Sequence, residues 1–161
     1  MKRLLLLLVL LPSFMFGQSN MSKPKSFYIA KEVKPPVLNI EKASVHFADP
    51  SGNNAIDANE HCYIRYQVKN TGAGDGLGCQ AKLSAIGTTD GITYKDIKLA
   101  TIPSGDTRQV EIPISSGIGT KNGQIDFSIY IYEAQGFGTE AIQLTVNTRQ
   151  FESPMLKVVD Y

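Results

Sequence analysis

The stretch Cys62-Tyr63-Ile64-Arg65-Tyr66-Gln67-Val68-Lys69 alternates between two kinds of side chain along its whole length. One face carries Cys62, Ile64, Tyr66 and Val68, and the other carries Tyr63, Arg65, Gln67 and Lys69. Successive side chains of a β-strand point to opposite faces of the sheet, so this period of two predicts a strand with one buried face. The Gly-rich run 70–76 that follows permits positive φ and predicts a turn.

Short apolar segments separated by turns recur on both sides of this strand. We predict further strands around residues 37–40, 44–47, 79–85, 92–100, 110–114, 124–132 and 142–146, with the clearest alternation in 124–132. About seven short strands between turns predict an all-β fold, an antiparallel immunoglobulin-like β-sandwich. The chain has no Trp, which excludes the core of antibody domains and leaves a sandwich of the bacterial kind.

The segment Asp49–Glu60, just before the decisive strand, matches the spacing of a twelve-residue calcium loop. Hard cations prefer oxygen ligands, and this loop type supplies them from side chains at positions 1, 3, 5, 9 and 12 and from a backbone carbonyl at position 7. Ile56 at position 8 is the expected apolar anchor, whereas Asn54 stands at position 6 in place of Gly and weakens the match. The predicted metal ligands are Asp49, Ser51, Asn53, Ala55, Asp57 and Glu60. The alternative interpretation is a polar turn without metal.

The N-terminal segment has the features of an export signal. Lys2 and Arg3 precede the apolar run Leu4–Leu11, and Gly17 ends a plausible cleavage site. The run is shorter than the roughly 20 apolar residues that a membrane-spanning helix needs. We therefore expect a signal peptide (1–17), a flexible leader (18–36) and one sandwich domain (37–161), exported to the periplasm or cell surface without a membrane span.

The charge of the chain argues against nucleic acid as a partner. The full sequence has 16 Lys and Arg against 15 Asp and Glu, for a net charge of +1. Removing Lys2 and Arg3 with the signal peptide leaves 14 against 15, or −1. A near-neutral chain without a basic cluster lacks the electrostatic footprint of a nucleic-acid-binding protein.

The chain has two cysteines, Cys62 and Cys79, and both fall on apolar sides of predicted strands. Because export places them where disulfides persist, a Cys62–Cys79 bridge is the favoured interpretation. The alternative is a pair of buried free thiols.

The loop and the segment that follows the strand together resemble a known class of module. The residues are Asp49-Pro50-Ser51-Gly52-Asn53-Asn54, Ile56-Asp57-Ala58, Glu60 and Val68-Lys69-Asn70-Thr71-Gly72-Ala73-Gly74. They are similar to immunoglobulin-like modules of bacterial envelope and adhesion-related proteins, which also occur beside caspase-like peptidase domains. The resemblance implies a sandwich fold and, for some members, bound calcium, and it implies no substrate.

The remaining polar and aromatic residues give no enzymatic signature. His46 and His61 flank the loop and are expected to be ordinary surface residues. G-x-S-x-G, H-E-x-x-H and P-loop motifs are absent from the sequence. Tyr63, Tyr130 and Tyr132 indicate either an exposed patch for carbohydrate or protein contacts, or cross-strand packing.

From these features we expect a non-catalytic binding or assembly module whose partner is an envelope or surface protein, with carbohydrate as another candidate ligand. The alternative is a regulatory or accessory subunit of an exported hydrolase. The tail 150–161 places Met155, Leu156, Val158 and Val159 close together after Pro154. We expect it to form an edge strand that is open to another chain.

Overall fold

Ten β-strands contain about half of the residues of the computed structural model, which describes residues 34–153. The predicted signal peptide, most of the predicted leader and the tail from Pro154 onward lie outside the described residues. Within them, no helix is long and apolar enough to cross a membrane. The strands are β1 (Leu38–Ile40), β2 (His46–Ala48), β3 (Ala55–Asp57), β4 (His61–Asn70), β5 (Gln80–Gly87), β6 (Ile92–Tyr94), β7 (Ile97–Lys98), β8 (Thr107–Ser116), β9 (Gly123–Tyr132) and β10 (Ile142–Arg149).

The strands form two five-stranded sheets. The first has the order β1-β4-β8-β6, with β2 also paired to β4, and the second has the order β3-β10-β9-β5-β7. All pairs are antiparallel except β3 with β10, which run parallel. This arrangement confirms the predicted immunoglobulin-like sandwich. The strand number exceeds the expected seven for three reasons. The first predicted strand is divided between β1 and β2, and the weak segment 92–100 is divided between β6 and β7. Strand β3 lies within the segment Asp49–Glu60, for which a loop was predicted.

The core lies between the sheets and is built mainly by the inward faces of β4 and β9. Along β4 the buried and less buried positions alternate, as the sequence predicted. The same holds for β9, where Ile125, Phe127 and Ile129 are completely buried. These strands lie in different sheets, so their apolar faces supply the two halves of the core.

At the end of β4, Asn70 holds the start of the domain in place. Its side chain is completely buried. The Oδ1 atom accepts hydrogen bonds from the backbone N–H groups of Val37 (3.1 Å) and Gly72 (3.0 Å). The Nδ2 group donates to the carbonyls of Gly74 (2.8 Å) and Ile102 (2.9 Å). The Asn-Thr-Gly motif therefore has a structural role, because one amide satisfies four backbone groups.

Two glycines after Asn70 make room for the incoming chain. A Cβ atom on Gly72 would lie 2.3 Å from the backbone nitrogen of Val37, and one on Gly74 would lie 1.7 Å from the carbonyl oxygen of Lys34. The Gly74 N–H also donates to the Pro35 carbonyl at 3.2 Å. The last residues of the predicted leader, 34–36, thus lie against this turn.

The predicted Cys62–Cys79 disulfide is wrong, because both cysteines are buried free thiols. Cys62 lies at the first end of β4. Cys79 lies near Leu38, because a Cβ atom on Gly76 would be 3.2 Å from both the Cys79 Sγ atom and a Leu38 methyl group. Leu38 in turn pairs with Asn70, at the other end of β4. The eight residues of β4 that separate its two ends span about 26 Å. The Cα atoms of a disulfide lie within about 7 Å of each other, so the two cysteines are too far apart to be bridged.

Candidate functional site

The loop Asp49–Glu60 carries the chain from the first sheet to the second and back. It starts after β2, which pairs with β4, and contains β3, which pairs with β10. In the register of that pair, Ala55 lies opposite Asn147 and Asp57 lies opposite Arg149. Ile56 is completely buried between the sheets, so it is the apolar anchor that its position in the motif predicted. The loop is therefore attached to both layers of the sandwich.

In the first half of the loop, Asp49 is the central acceptor. Its Oδ2 atom accepts hydrogen bonds from the Ser51 hydroxyl and from the Asn53 backbone N–H, both at 2.8 Å. Burial raises the pKa of the Asp49 carboxyl, but these hydrogen bonds outweigh it and leave the pKa below its ordinary value. Gly52 (φ +70°) and Asn54 (φ +57°) adopt left-handed backbone conformations, so Asn54 takes the geometry for which the motif normally uses Gly.

In the second half, Glu60 ties the two ends of the loop together. Its Oε1 atom accepts the backbone N–H of Ser51 at 3.1 Å, and its Oε2 atom accepts that of Asp57 at 3.0 Å. The Asn53 side chain links the halves again: its Nδ2 group donates to Asp57 Oδ2 at 2.7 Å, and its Oδ1 atom accepts the Ala55 N–H at 2.8 Å.

Two residues outside the predicted set support Glu60. The Ser116 hydroxyl on β8 accepts the Glu60 N–H at 2.8 Å and donates to the Asp57 carbonyl. The Cys62 thiol donates to Glu60 Oε2 at 3.4 Å. Burial, followed by the nearby Glu60 carboxylate, strongly raises the pKa of Cys62, so this thiol stays protonated and can act as a donor. Sequence periodicity places Cys62 in the core but does not reveal its contact with Glu60.

The six predicted ligands therefore lie in one loop, where side-chain oxygens of four of them accept hydrogen bonds from within the loop: Asp49, Asn53, Asp57 and Glu60. Among the described residues, no group of three or more His, Cys, Asp or Glu side chains is placed to hold a metal ion. A calcium ion here would need the neutral oxygens of Ser51, Asn53 and the Ala55 carbonyl as well, and would replace N–H donors as the partner of the carboxylates. Such a set suits a hard cation and a weak site.

A concave region of about 400 Å³ adjoins the loop at Asp57. Its lining contains both signs of charge, because Asp57 and Glu152 lie there with Arg149, which ends β10. The sequence did not predict this region, because it depends on the parallel register of β3 and β10.

The two histidines are exposed, as expected. His46 Nδ1 lies 3.0 Å from the Ser44 carbonyl, and His61 Nδ1 lies 2.9 Å from the Ser115 hydroxyl. Neither ring forms a hydrogen bond with a carboxylate of the loop among residues 34–153, so both histidines are surface residues.

The three tyrosines do not form one patch, so that interpretation is wrong. Tyr63 lies on β4 in the first sheet, whereas Tyr130 and Tyr132 lie on β9 in the second. Each group has its own cation: the Arg65 guanidinium lies 5.3 Å from the Tyr63 ring centre, and the Lys82 ammonium lies 5.6 Å from that of Tyr132. These contacts fit the alternative of packing within each sheet.

A buried carboxylate, Glu133, was missed by sequence reasoning. It follows β9 and accepts backbone N–H groups from Leu77 (3.0 Å), Gln135 (2.7 Å) and Phe137 (3.2 Å). Three N–H donors compensate for the loss of water around the charge. The residue therefore fixes two loops at the end of the sandwich opposite the Asp49–Glu60 loop.

Comparisons with known proteins support the fold and nothing finer. No protein-family model matches the chain, and no curated protein matches it. Among solved structures, the chain is similar to the cupredoxin domain of amoB from Nitrosocaldus yellowstonii, at a TM-score of 0.50 and 8% identity, covering 81% of this chain and 98% of that one. A CARDB domain from Pyrococcus furiosus, solved in complex with di-metal ions, has a TM-score of 0.45 and 12% identity, covering 72% and 96% of the two chains. A FixG-related protein from Vibrio parahaemolyticus has a TM-score of 0.41 and 8% identity, covering 74% and 98%. At these identities the likeness concerns the β-sandwich fold alone.

Proposed function

We propose that this protein is an exported, non-catalytic binding or assembly module of the bacterial cell envelope, stabilised by calcium in the Asp49–Glu60 loop. The observation that carries the proposal is the position of this loop. Its ligand spacing is that of a calcium loop, and it crosses between the two sheets while β3 pairs with only three residues of β10. A cation held there would stabilise the sandwich itself.

The envelope location rests on the signal-like N-terminus and on the resemblance of the loop and the Asn-Thr-Gly motif to envelope modules. In the structure, both motifs have structural roles: one closes the crossing between the sheets, and the other positions the start of the domain through Asn70. A sandwich that is fixed at both ends is suited to present its loops and outer faces to a partner protein.

The test is recovery of the partner from cells that make the full chain with a C-terminal tag. Cell fractions are compared first, and the envelope fraction is then cross-linked and captured with calcium or with a chelator. A matched Glu60→Gln variant shows whether the complex depends on the loop.

A defined set of envelope proteins, recovered with the wild type and depleted with Glu60→Gln, would support the proposal. A chain confined to the cytosolic fraction would contradict export. Purified monomer with hydrolytic activity of its own would contradict the non-catalytic role, and capture of one exported hydrolase would favour the accessory-subunit alternative.

A further inference from the structure

The edge of the first sheet is only partly covered along β8. Strand β6 pairs with residues 114–116, at one end of β8, and the chain then crosses to the second sheet to form β7. Among residues 34–153, no other strand pairs with this side of β8. Residues 107–113 of β8 therefore form an open strand edge.

The backbone groups of alternate residues face this open edge. The Ser116 N–H donates to the Glu60 carbonyl at 3.0 Å, so the even-numbered residues of β8 face β4. The Gly117 N–H donates to the Gly91 carbonyl at 2.9 Å, so the odd-numbered residues face the side of β6. In the open segment the odd-numbered residues are Thr107, Gln109, Glu111 and Pro113.

Three of these residues have unused backbone groups. Thr107, Gln109 and Glu111 are exposed, and within the range 34–153 their outward N–H and C=O groups have no hydrogen-bond partner. Pro113 has no N–H to donate, so it cannot continue the pairing with β6, which ends at Ile114. Three residues in a row along the edge are thus free to pair with another strand.

We propose that this edge pairs with the same edge of a second copy of the chain, antiparallel about a two-fold axis at Gln109. In this register Gln109 lies opposite its own equivalent and Thr107 lies opposite Glu111, so all three residues of each copy exchange both backbone hydrogen bonds. The Arg65 Nε atom holds only the Oε2 atom of Glu111, at 2.5 Å, which leaves the other oxygen to accept the Thr107 hydroxyl. The first sheets of the two copies then form one continuous sheet.

The side chains and the backbone favour this register over its neighbours. A shift in one direction places Thr107 opposite Pro113, which has no N–H, and a further shift places the two Glu111 carboxylates opposite each other. A shift in the other direction places Glu111 opposite Gly105, whose N–H already donates to the Asn70 carbonyl at 2.9 Å. The edge is therefore complementary to itself in one register, as a closed dimer requires. This inference goes beyond the proposed function and does not involve the calcium loop.

The experiment is sedimentation equilibrium of the full chain from about 10 µM to about 1 mM, because small interfaces give weak dimers. Gln109→Pro removes the central N–H that points at the partner, and Gln109→Ala is the matched control that keeps it. Gln109→Glu and Gln109→Lys each place like charges opposite each other in their own dimers, whereas a mixture of the two places opposite charges there. Thermal unfolding of each variant checks that it folds, and the side chain at position 109 is exposed.

We expect a reversible dimer of the wild type that Gln109→Pro weakens about tenfold or more, since two central hydrogen bonds are lost. Gln109→Ala should stay within about threefold of the wild type. Each charged variant should dimerise about fivefold more weakly alone, and their mixture should dimerise more tightly than either. The proposal is overturned if the wild type is monomeric at about 1 mM, if folded Gln109→Pro dimerises normally, or if the mixture is no tighter than its components. A monomer that still captures its envelope partner loses this interface and keeps the proposed function.

Discussion

Calcium should raise the melting temperature of metal-stripped protein, and Glu60→Gln should abolish the rise. Extracellular calcium modules have dissociation constants of about 10⁻⁴ to 10⁻³ M. At about 10 mM calcium, such a site stabilises the folded state by about 1.4–2.7 kcal/mol. Residues 34–153 number 153 − 34 + 1 = 120. At about 2.1 cal/mol/K per residue their entropy of unfolding is about 250 cal/mol/K, so the expected shift is about 6–11 °C.

The Glu60→Gln variant tests this prediction by replacing one oxygen of the Glu60 carboxylate with an NH₂ group. In the wild type, each carboxylate oxygen accepts one backbone N–H, from Ser51 and from Asp57. A glutamine side chain places an NH₂ group against one of these donors, which costs about 1–2 kcal/mol without calcium. The metal-free variant should therefore melt about 4–8 °C below the wild type, and calcium should not restore the difference.

The assay is thermal unfolding followed by circular dichroism after treatment with a chelator, with calcium then added back. Magnesium at the same concentration is the ionic control, because it demands octahedral geometry and loses its water reluctantly. Glu140→Gln is the matched control, since Glu140 is an exposed carboxylate outside the loop. An unchanged melting temperature in the wild type would show that calcium does not stabilise the domain and would refute the proposed calcium site. Equal calcium shifts in both variants would show that the ion binds elsewhere.

Three further predictions concern other parts of the domain. Asn70→Ala should destabilise the domain by about 3 kcal/mol or more in urea unfolding, because the buried amide bonds four backbone groups; wild-type stability would contradict this. Denatured, unreduced protein should label at both Cys62 and Cys79, and native protein should label slowly because burial raises the pKa of both thiols; one blocked pair after denaturation would restore the disulfide. Asp49 has a folded-state pKa below its ordinary value of 3.8, so its contribution is present above pH 3.8 and is lost as pH falls through the folded pKa. The free-energy difference between the wild type and Asp49→Asn, measured without calcium, should therefore shrink below that pH, and a constant difference would refute the assignment.

The strands and their inward faces could be predicted from the sequence because alternation reports them directly. Ile64 and Val68 on β4, and Phe127 and Ile129 on β9, are buried as the period of two required. The loop spacing likewise placed Ile56 in the core and put Asn54 in a left-handed conformation. These are local properties, which depend on a few neighbouring residues.

Properties that depend on the pairing of distant segments could not be predicted. The alternation of apolar and polar residues predicted which face of the sheet Cys62 and Cys79 occupy. It did not predict that they lie at opposite ends of the sandwich. It likewise placed Tyr63 and Tyr130 outside without revealing that they belong to different sheets. The same is true of the pairing of Gln67 with Gln109 across β4 and β8, because that register is set by the whole fold.

The geometry of the Asp49–Glu60 loop explains why its occupancy would matter to the whole domain. Strand β3 is a three-residue edge strand, and such a short pairing with β10 is weak without support. Its support comes from the completely buried Ile56 and from the hydrogen bonds that Asp57 receives from Asn53 and gives to Glu60. The Ser116 hydroxyl adds a link from β8 in the first sheet to the Asp57 carbonyl in the second. A cation that fixes the carboxylates would thus act on both sheets at once, whereas an equal gain on an outer face would stabilise one sheet alone.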